Sequence, residues 1–534
     1  MECGGGQALA WTVDMAYSQA EERLIKKKRV KLVKDFAEHT SAHGCILVQR
    51  SSSYLRRSFW TTALVFAWLI CFYQIYIALN KYFQYSTQTS VKILHLTNVT
   101  FPAVTICNLN PIRNSWLIEN YDVLTEIKKI RMVGNFTPED WLKDGNAKKP
   151  ASHITKEQAQ IYKNLKLIYD HSVNLIEAGH SLEDMLIDCT FQSSKCTAAN
   201  FTRWQHGTYG NCYTMIVPRD KFSSFIGPFY GLSLTLYADD KEYLLQHSPA
   251  AGFRVEVHPM EYVPFPEDQG FTISPGVVTS VAVKQVRIAR MPYPYDGTDC
   301  GDIDKSHQRW SNSSIYQRTY EENMRKKGVL HHVNYTTQSC VKSCYQRKLV
   351  QDCSCVDASY ITRGQAEQFF AEEFNISLPN ACEMVYEEAL ECVRHSLSQT
   401  TEMGLCEKDC PQSCHEQDYV ARITSALWPR TSYYKSVKDE WRSQIKTMKM
   451  MKEADEVRTN VVKLEVYFEE LNYQSIVETP AMDIFDLLSN IGGTLGLYVG
   501  MSFLTLGEFF ELFLKCLAVG PKAKLRSRAS MDDL

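Results

Sequence analysis

Between Ser58 and Asn80 the chain runs for 23 residues without a charged side chain, SFWTTALVFAWLICFYQIYIALN. A helix rising about 1.5 Å per residue needs about 20 such residues to cross the hydrocarbon core of a bilayer. Arg56 and Arg57 close the run on one side and Lys81 on the other. Trp60, Tyr73, Tyr76, Tyr82 and Phe83 lie near its ends, where aromatic rings favour the interface. A second run of 21 uncharged residues, Leu487 to Gly507, continues through Glu508 and Glu511 into Phe509, Phe510, Leu512, Phe513 and Leu514. A buried core helix is the plainer reading of each run, but the length and flanks of the first fit a spanning helix. The first run is too long, and too far from the start, for a cleaved signal peptide.

The rest of the composition leaves room for two spans and little more. Of 534 residues, 45% are hydrophobic, and 58 Lys and Arg stand against 61 Asp and Glu, a net charge of −3. Such a chain is too apolar to be disordered. Its mean hydropathy of −0.27 excludes a bundle of many spans. The balanced charge offers no argument for nucleic acid as a partner.

Orientation follows from the flanks. Residues 1–57 carry Arg23, Lys26, Lys27, Lys28, Arg29, Lys31, Lys34, Arg50, Arg56 and Arg57, and the tail carries Lys515, Lys522, Lys524, Arg526 and Arg528. Basic flanks stay in the cytosol. The expected organisation is a cytosolic amino terminus (1–57), a first transmembrane helix (58–80), an extracellular domain (81–483), a second transmembrane helix (484–514) and a cytosolic carboxyl terminus (515–534). That places a two-span protein in the plasma membrane, with the lipid bilayer as an obligatory partner.

Cysteine placement agrees with this topology. Fourteen of the 18 cysteines lie between the two runs, an even count that reads as seven disulfides in an oxidising compartment. Zinc is the rival reading, since Cys340-x3-Cys344 and Cys353-x-Cys355 have ligand-like spacing, but exported thiols oxidise. Six Asn-x-Ser/Thr sequons, at Asn98, Asn135, Asn200, Asn312, Asn334 and Asn375, all fall in the same segment. Residues 461–468 alternate apolar and polar like a strand, and residues 251–291 are rich in valine. Helical character appears at Lys156–Leu175 and Val437–Val457. These predict a mixed α+β extracellular domain, with residues 340–414 forming a helical column held by bridges.

No phosphate loop, His-Glu-x-x-His helix or Gly-x-Ser-x-Gly elbow is present, and nothing argues for an enzyme, a resident metal or a cofactor. The second run is more informative. Gly492, Gly496 and Gly500 recur every four residues, on one face of a continuous helix. A packing motif between helices is one reading. A pore is the other. Gly500-Met501-Ser502 puts flexible backbone and a hydroxyl at membrane depth, where non-helical chain is tolerated only inside protein or beside water. Glu508 and Glu511 stand three apart, and carboxylates repeated around a symmetry axis concentrate cations.

Taken together these residues resemble the degenerin, epithelial sodium channel and acid-sensing channel family. His43-Gly44 resembles the family's cytosolic gating motif. Phe101-Pro-Ala-Val-Thr-Ile-Cys-Asn-Leu-Asn110 resembles the signature after the first span. Tyr209-Gly-Asn-Cys212 and Leu471-Asn-Tyr473 also fit, and Leu487-Leu-Ser-Asn-Ile-Gly-Gly493 leads into a Gly-x-Ser element at Gly500, Met501 and Ser502. The resemblance implies a homo- or heterotrimer with a sodium-selective, amiloride-blockable pore, sodium being the permeant ion rather than a cofactor. It implies a filter at Gly500, Met501 and Ser502, and a pore and gate at Ser489, Asn490, Gly492, Gly493, Gly496, Glu508 and Glu511. Ser489 takes the degenerin position and Gly496 a position linked to amiloride. It further implies a wrist contact between Tyr85 and Tyr295, and bridges Cys107–Cys212, Cys189–Cys196, Cys300–Cys414, Cys340–Cys410, Cys344–Cys406, Cys353–Cys392 and Cys355–Cys382.

The stimulus is less specified. Tyr85-Ser86-Thr87 lacks the histidines that follow the tyrosine in acid-sensing members, and Asn490 replaces an aspartate common there. YQIYIALNKYF and TQTSV look more like the bile-acid-sensitive and peptide-gated branches. A channel gated by an extracellular ligand is therefore expected, the ligand being a peptide, a proton or a bile acid. Constitutive or mechanical opening within the same family, and a non-conducting receptor or adhesion protein, are the alternatives. A purinergic-type trimer would need a lysine-rich nucleotide pocket and other cysteine spacing.

Overall fold

The computed structural model describes residues 23, 25–42, 44–120, 151, 154–215, 217, 222–244, 247–295, 300, 314–328, 333–371, 378–401, 406, 410–444 and 454–531. They form two compact units. One contains residues up to 88, the short piece at 295 and residues from 480 onward; the other contains most of the chain between. Of the expected site residues, His43 lies outside the described residues, as do the sequons at Asn135, Asn312 and Asn375.

The first unit holds α1 (Tyr54–Phe83), a continuous 30-residue helix. It starts four residues earlier and ends three later than the charge-free run. At about 1.5 Å per residue it is about 45 Å long, enough to cross a bilayer. Among the described residues it is the one continuous helix long and apolar enough to do so, and the second apolar run is a bent pair of helices.

The larger unit is a mixed α+β structure. Its labelled elements are β1 (Thr87–His95), β2 (Ala103–Asn108), α2 (Lys156–Asp170), β3 (Leu186–Phe191), β4 (Phe201–His206), β5 (Gly210–Met215), β6 (Leu232–Tyr237), β7 (Phe253–His258), β8 (Phe271–Ile273) and β9 (Val277–Ala289). They continue with α3 (Ile315–Lys326), α4 (Thr337–Cys353), α5 (Glu387–Thr401), β10 (His415–Leu427), α6 (Thr431–Gln444) and β11 (Val461–Pro480). One sheet runs β10-β9-β11-β6-β3, with Ser194–Lys195 beyond β3 and β1 also paired to β11; the other runs β8-β7-β2-β5-β4.

The valine-rich pattern at 251–291 resolves into β7, β8 and β9. The helix predicted at Lys156–Leu175 stops at Asp170, and Leu175 begins a separate turn of helix, Leu175–Ala178. At its start Thr155 and Gln158 cap each other reciprocally, as a T-x-x-Q sequence should. The helix expected at Val437–Val457 begins earlier, at Thr431, and runs to Gln444.

The two sheets share one core. Val104, Ile106, Phe253 and Val255 come from one; Leu232, Leu234, Leu236, Val281, Val283, Val462, Leu464, Val466 and Phe468 come from the other. The alternating residues of 461–468 thus point their apolar set inward, as a half-buried strand must. The opposite side of β4 and β5 is covered by α2 and α3 through Trp204, Leu165, Tyr169, Tyr316 and Tyr320.

β11 extends well past the alternating stretch, and its pairing changes character on the way. It runs parallel to β9 in register from Val278↔Lys463 to Val283↔Phe468; pairing resumes at Gln285↔Tyr473, so the extra residues bulge from β11. The bulge is charged. Lys284 Nζ lies 2.8 Å from Glu470 and 3.8 Å from Glu469, and Arg422 also pairs with Glu469. Before the bulge Val462, Leu464, Val466 and Phe468 are buried; after it the strand is mostly half-buried.

Seven disulfides close in the pairs implied by the family resemblance: 107–212, 189–196, 300–414, 340–410, 344–406, 353–392 and 355–382. Cys107 and Cys212 face each other across β2 and β5. Four bridges start on or just after α4, which with α5 forms the expected column. The Cys340-x3-Cys344 and Cys353-x-Cys355 sulfurs are therefore bonded to the sulfurs of Cys410, Cys406, Cys392 and Cys382 and are not thiolate ligands.

Beside α4 lies a buried ion cluster. Glu267 accepts from His206 Nε2 at 2.8 Å and from Lys342, and Lys342 also meets Asp268 at 2.8 Å. The Lys342 ammonium sits over the rings of Phe265, at 4.6 Å, and Tyr360, at 4.3 Å. Burial alone would raise the Glu267 pKa, but His206 and Lys342 overcome it and hold the carboxyl at about 2.

Candidate pore and gate

The second apolar run begins with a firm helix start. Asp483 caps the amide of Asp486, and Asp486 returns a bond to the amide of Asp483, opening α7 (Ile484–Val499). Glycine then stops it. Gly500 takes φ 66°, ψ 28°, the left-handed conformation that glycine adopts without a Cβ penalty. Its N–H bonds Gly496 O at 3.1 Å, and Met501 N–H bonds Leu495 O at 3.2 Å, a glycine-terminated C-cap.

The chain restarts within three residues as α8 (Phe503–Met531). Ser502 Oγ accepts from Thr505 N–H, and Ser502 N–H bonds back to Thr505 Oγ1 at 3.1 Å. The two helices meet at 77°. Residues 484–514, read from the sequence as one span, are thus two helices broken at Gly500–Ser502. Gly492 and Gly496 remain four apart on α7, whereas Gly500 ends the helix rather than extending the stripe. Ser489, Asn490, Gly492, Gly493 and Gly496 are all exposed within this single chain. A Cβ added at Gly492 or Gly493 would meet nothing within 4 Å. That face is open for water or a neighbouring copy.

α1 packs beside α7, with Gln74 Nε2 donating to Tyr498 Oη at 2.9 Å. Elsewhere α1 presents Phe66, Leu69, Phe72 and Tyr73 outward, each about 60% exposed or more. Such an uncovered apolar face suits lipid or another helix.

The acidic pair divides its partners. Glu508 Oε2 accepts from Thr40 Oγ1 at 2.8 Å and from Ser41 N–H at 3.0 Å. Glu511 instead pairs with Lys515 at 2.7 Å. Ser41 Oγ lies 2.6 Å from Thr505 Oγ1, and Phe36 packs on Phe509 with ring centroids 4.9 Å apart. The segment before the His-Gly motif is therefore seated against the first turns of α8. Gly44 itself takes φ 91°, and a Cβ there would come within 2.8 Å of Leu64 Cδ1. The positive φ favours glycine at that position, whereas the Leu64 methyl could shift to admit a Cβ.

Tyr85 and Tyr295 meet edge to face, centroids 5.8 Å apart and planes at 87°. Ala481 N–H bonds Ser86 O at 2.9 Å, so the chain leaving α1 touches the chain entering α7. Thr40, Ser41 and Thr505 were missed in the sequence. Their one signal was weak: hydroxyls ahead of His43-Gly44, and a Ser-x-x-Thr spacing after the glycine. Among the described sequons, Asn98, Asn200 and Asn334 are exposed.

Comparison with known proteins agrees with this geometry. A family model described as amiloride-sensitive sodium channel matches residues 36–512. The chain is 27% identical to epithelial sodium channel subunit alpha of Neoceratodus forsteri, over 92% of this chain and 80% of that one. It is 25% identical to subunit gamma of Xenopus laevis, over 90% and 80%, and 23% identical to subunit gamma of Bos taurus, over 90% and 81%. The broken apolar run, the seven bridges and a match over nearly the whole chain lead to one conclusion: this chain belongs to the amiloride-sensitive sodium channel family, the degenerin and epithelial sodium channel family, and is a sodium channel protein rather than an enzyme.

Proposed function

We propose that the chain is a subunit of a trimeric, sodium-selective, amiloride-sensitive channel of the plasma membrane, opened by an extracellular ligand. The observation that carries this reading is the break at Gly500–Ser502 between two apolar helices. A helix end at membrane depth leaves carbonyl groups without intrahelical donors, and such groups need water or an ion. Three copies around an axis would offer rings of backbone oxygens and Ser502 hydroxyls that partly replace the water shell of sodium. Ser489, Asn490 and the open glycine face would line the outer pore, with amiloride reaching Gly496. The Thr40–Ser41 seat would hold Glu508 at the inner mouth, leaving Glu511 nearer the cytosol. In this topology α1 and α7–α8 are the two spans, both termini are cytosolic, and the exposed sequons carry glycans.

Opening follows from unequal ligand affinity for closed and open states. The bridged column resists deformation, and β11 continues to Pro480, three residues before the Asp483 cap. Movement of the column would therefore reach α7 through a short, paired strand.

Expression of this chain alone in oocytes tests the proposal. The expected result is an amiloride-blocked current, evoked by a peptide or bile acid, whose reversal potential follows sodium and not potassium. Equal permeability removes the selectivity, and a current independent of every applied ligand removes the gating. Absence of current with normal surface labelling, alone and with alpha or gamma subunits, favours a non-conducting receptor.

A further inference from the structure

One buried carboxyl has no part in the fold described above. Glu256 lies on β7, opposite Thr105 of β2, and its side chain is 1% exposed. No hydrogen bond of ordinary geometry reaches its oxygens, although the Phe265 amide lies close enough to favour the charged form. A buried carboxyl without a well-formed hydrogen bond destabilises the fold. Burial, reinforced by the nearby Glu267 carboxylate, raises its pKa well above the usual range; the Phe265 amide and Lys342 oppose this without reversing it. The Glu256 carboxyl is therefore the neutral acid.

Glu256 lines a cavity of about 250 Å³. A cavity of about 150 Å³ accommodates benzene, so a small organic molecule fits. The walls come from three elements: β7 and the loop after it (His258, Tyr262), the entry to α4 (Tyr335), and the start of β10 (Glu416, Asp418). Among the described residues no lysine or arginine lines it. His258 donates from Nδ1 to Pro259 O at 2.9 Å and accepts at Nε2 from Thr105 at 2.8 Å, so it is neutral. Arg290 neutralises Glu416 at 2.7 Å. The remaining acidic groups are Glu256 at the buried end and Asp418 at the exposed end.

This arrangement selects a cation. Among the described residues no group of three or more His, Cys, Asp or Glu side chains is placed to hold a metal ion. The lining instead pairs carboxyls with two tyrosine rings, a combination that suits an organic ammonium through charge and ring face together. We propose that the cavity binds a small primary ammonium ion, with Glu256 as its anionic anchor and Asp418 at its mouth. On binding, the Glu256 proton passes to bulk water and the ammonium takes its place beside the carboxylate. The buried charge is never unpaired. An occupant touches β7, the entry to α4 and β10 at once, beside the bond from Gln417 N–H to Tyr262 Oη at 3.2 Å.

Calorimetric titration of the full-length chain in detergent tests this without depending on channel activity. The probe is n-butylammonium chloride, with n-butanol as its neutral counterpart. The expected result is saturable binding of butylammonium and none of butanol. Glu256→Gln keeps the shape but cannot ionise, and should weaken binding about tenfold or more, the scale of a lost charge-assisted bond. Asp418→Asn, exposed and remote from the core, should weaken it less. Saturable binding that both variants leave unchanged places the ammonium elsewhere and overturns the proposal, as does absence of binding to the wild type. Should Glu256→Gln fail to fold, the Asp418→Asn titration decides alone: weaker binding supports the site, unchanged binding overturns it.

Discussion

Glu267 shows how much a single side chain can hold in this protein. It accepts from His206 on β4 and from Lys342 on α4, and all three are largely buried. Removing Glu267 strips the buried His206 N–H of its acceptor and leaves Lys342 with only the more exposed Asp268, at a cost of about 1–3 kcal/mol. Glu267→Ala is therefore expected to lower the denaturation midpoint of the purified chain sharply. The double change Glu267→Gln with Lys342→Met should lose less than the two single losses added together. The pH dependence has a definite sign. The folded pKa, about 2, lies below the ordinary carboxyl value of 4.5. The stabilisation is complete above 4.5 and fades as pH falls toward 2. Thermal melts across that interval should fall more steeply for the wild type than for Glu267→Gln. Such a contact was invisible in the sequence, because His206, Glu267 and Lys342 are far apart along the chain and individually ordinary. Tyr85 with Tyr295 was legible only through the family resemblance, and so was the pairing of the cysteines. The Thr40–Glu508 bond, 468 residues apart in sequence, had no periodic signal at all.

Elements were read as well as their patterns allowed. Residues 461–468 alternate, and they lie in a strand with one face in the core. The continuation of β11 to Pro480 was not foreseen, because beyond the bulge both faces are half-buried and the alternation fades. The second apolar run misled in the opposite way. Hydropathy is blind to backbone sign, so residues 484–514 read as one helix although Gly500 turns left-handed within them. Gly500→Ala places a Cβ in that conformation, at about 1–2 kcal/mol, and favours straightening α7 into α8. Current per surface-labelled channel should drop severely, with disulfide formation and surface delivery preserved. Undiminished sodium-selective current in Gly500→Ala would show that the break is not the filter.

At the scale of the whole molecule, the bridges differ in what they restrain. Cys107–Cys212 closes a loop of 105 residues and Cys189–Cys196 one of 7. Loop-closure entropy assigns about 5 kcal/mol to the first and about 2–3 kcal/mol to the second. Replacing Cys107 and Cys212 together by serine should impair surface expression far more than the same change at Cys189 and Cys196, read by surface biotinylation. Composition and cysteine placement made the two-run, disulfide-rich plan legible from the start; the division into two sheets around one core needed the pairing registers.

The charged interruption between Phe468 and Tyr473 has a mechanical meaning. Parallel neighbours pulled along their length share load across many bonds, but a slack length in one partner lets the far portion slip before the near portion feels tension. Phe468 and the valines before it would stay anchored while the segment toward Pro480 re-seats, so the interruption behaves as a knuckle that absorbs travel. Shortening it by deleting residues would make the strand a rigid rod and tune how far a given displacement carries.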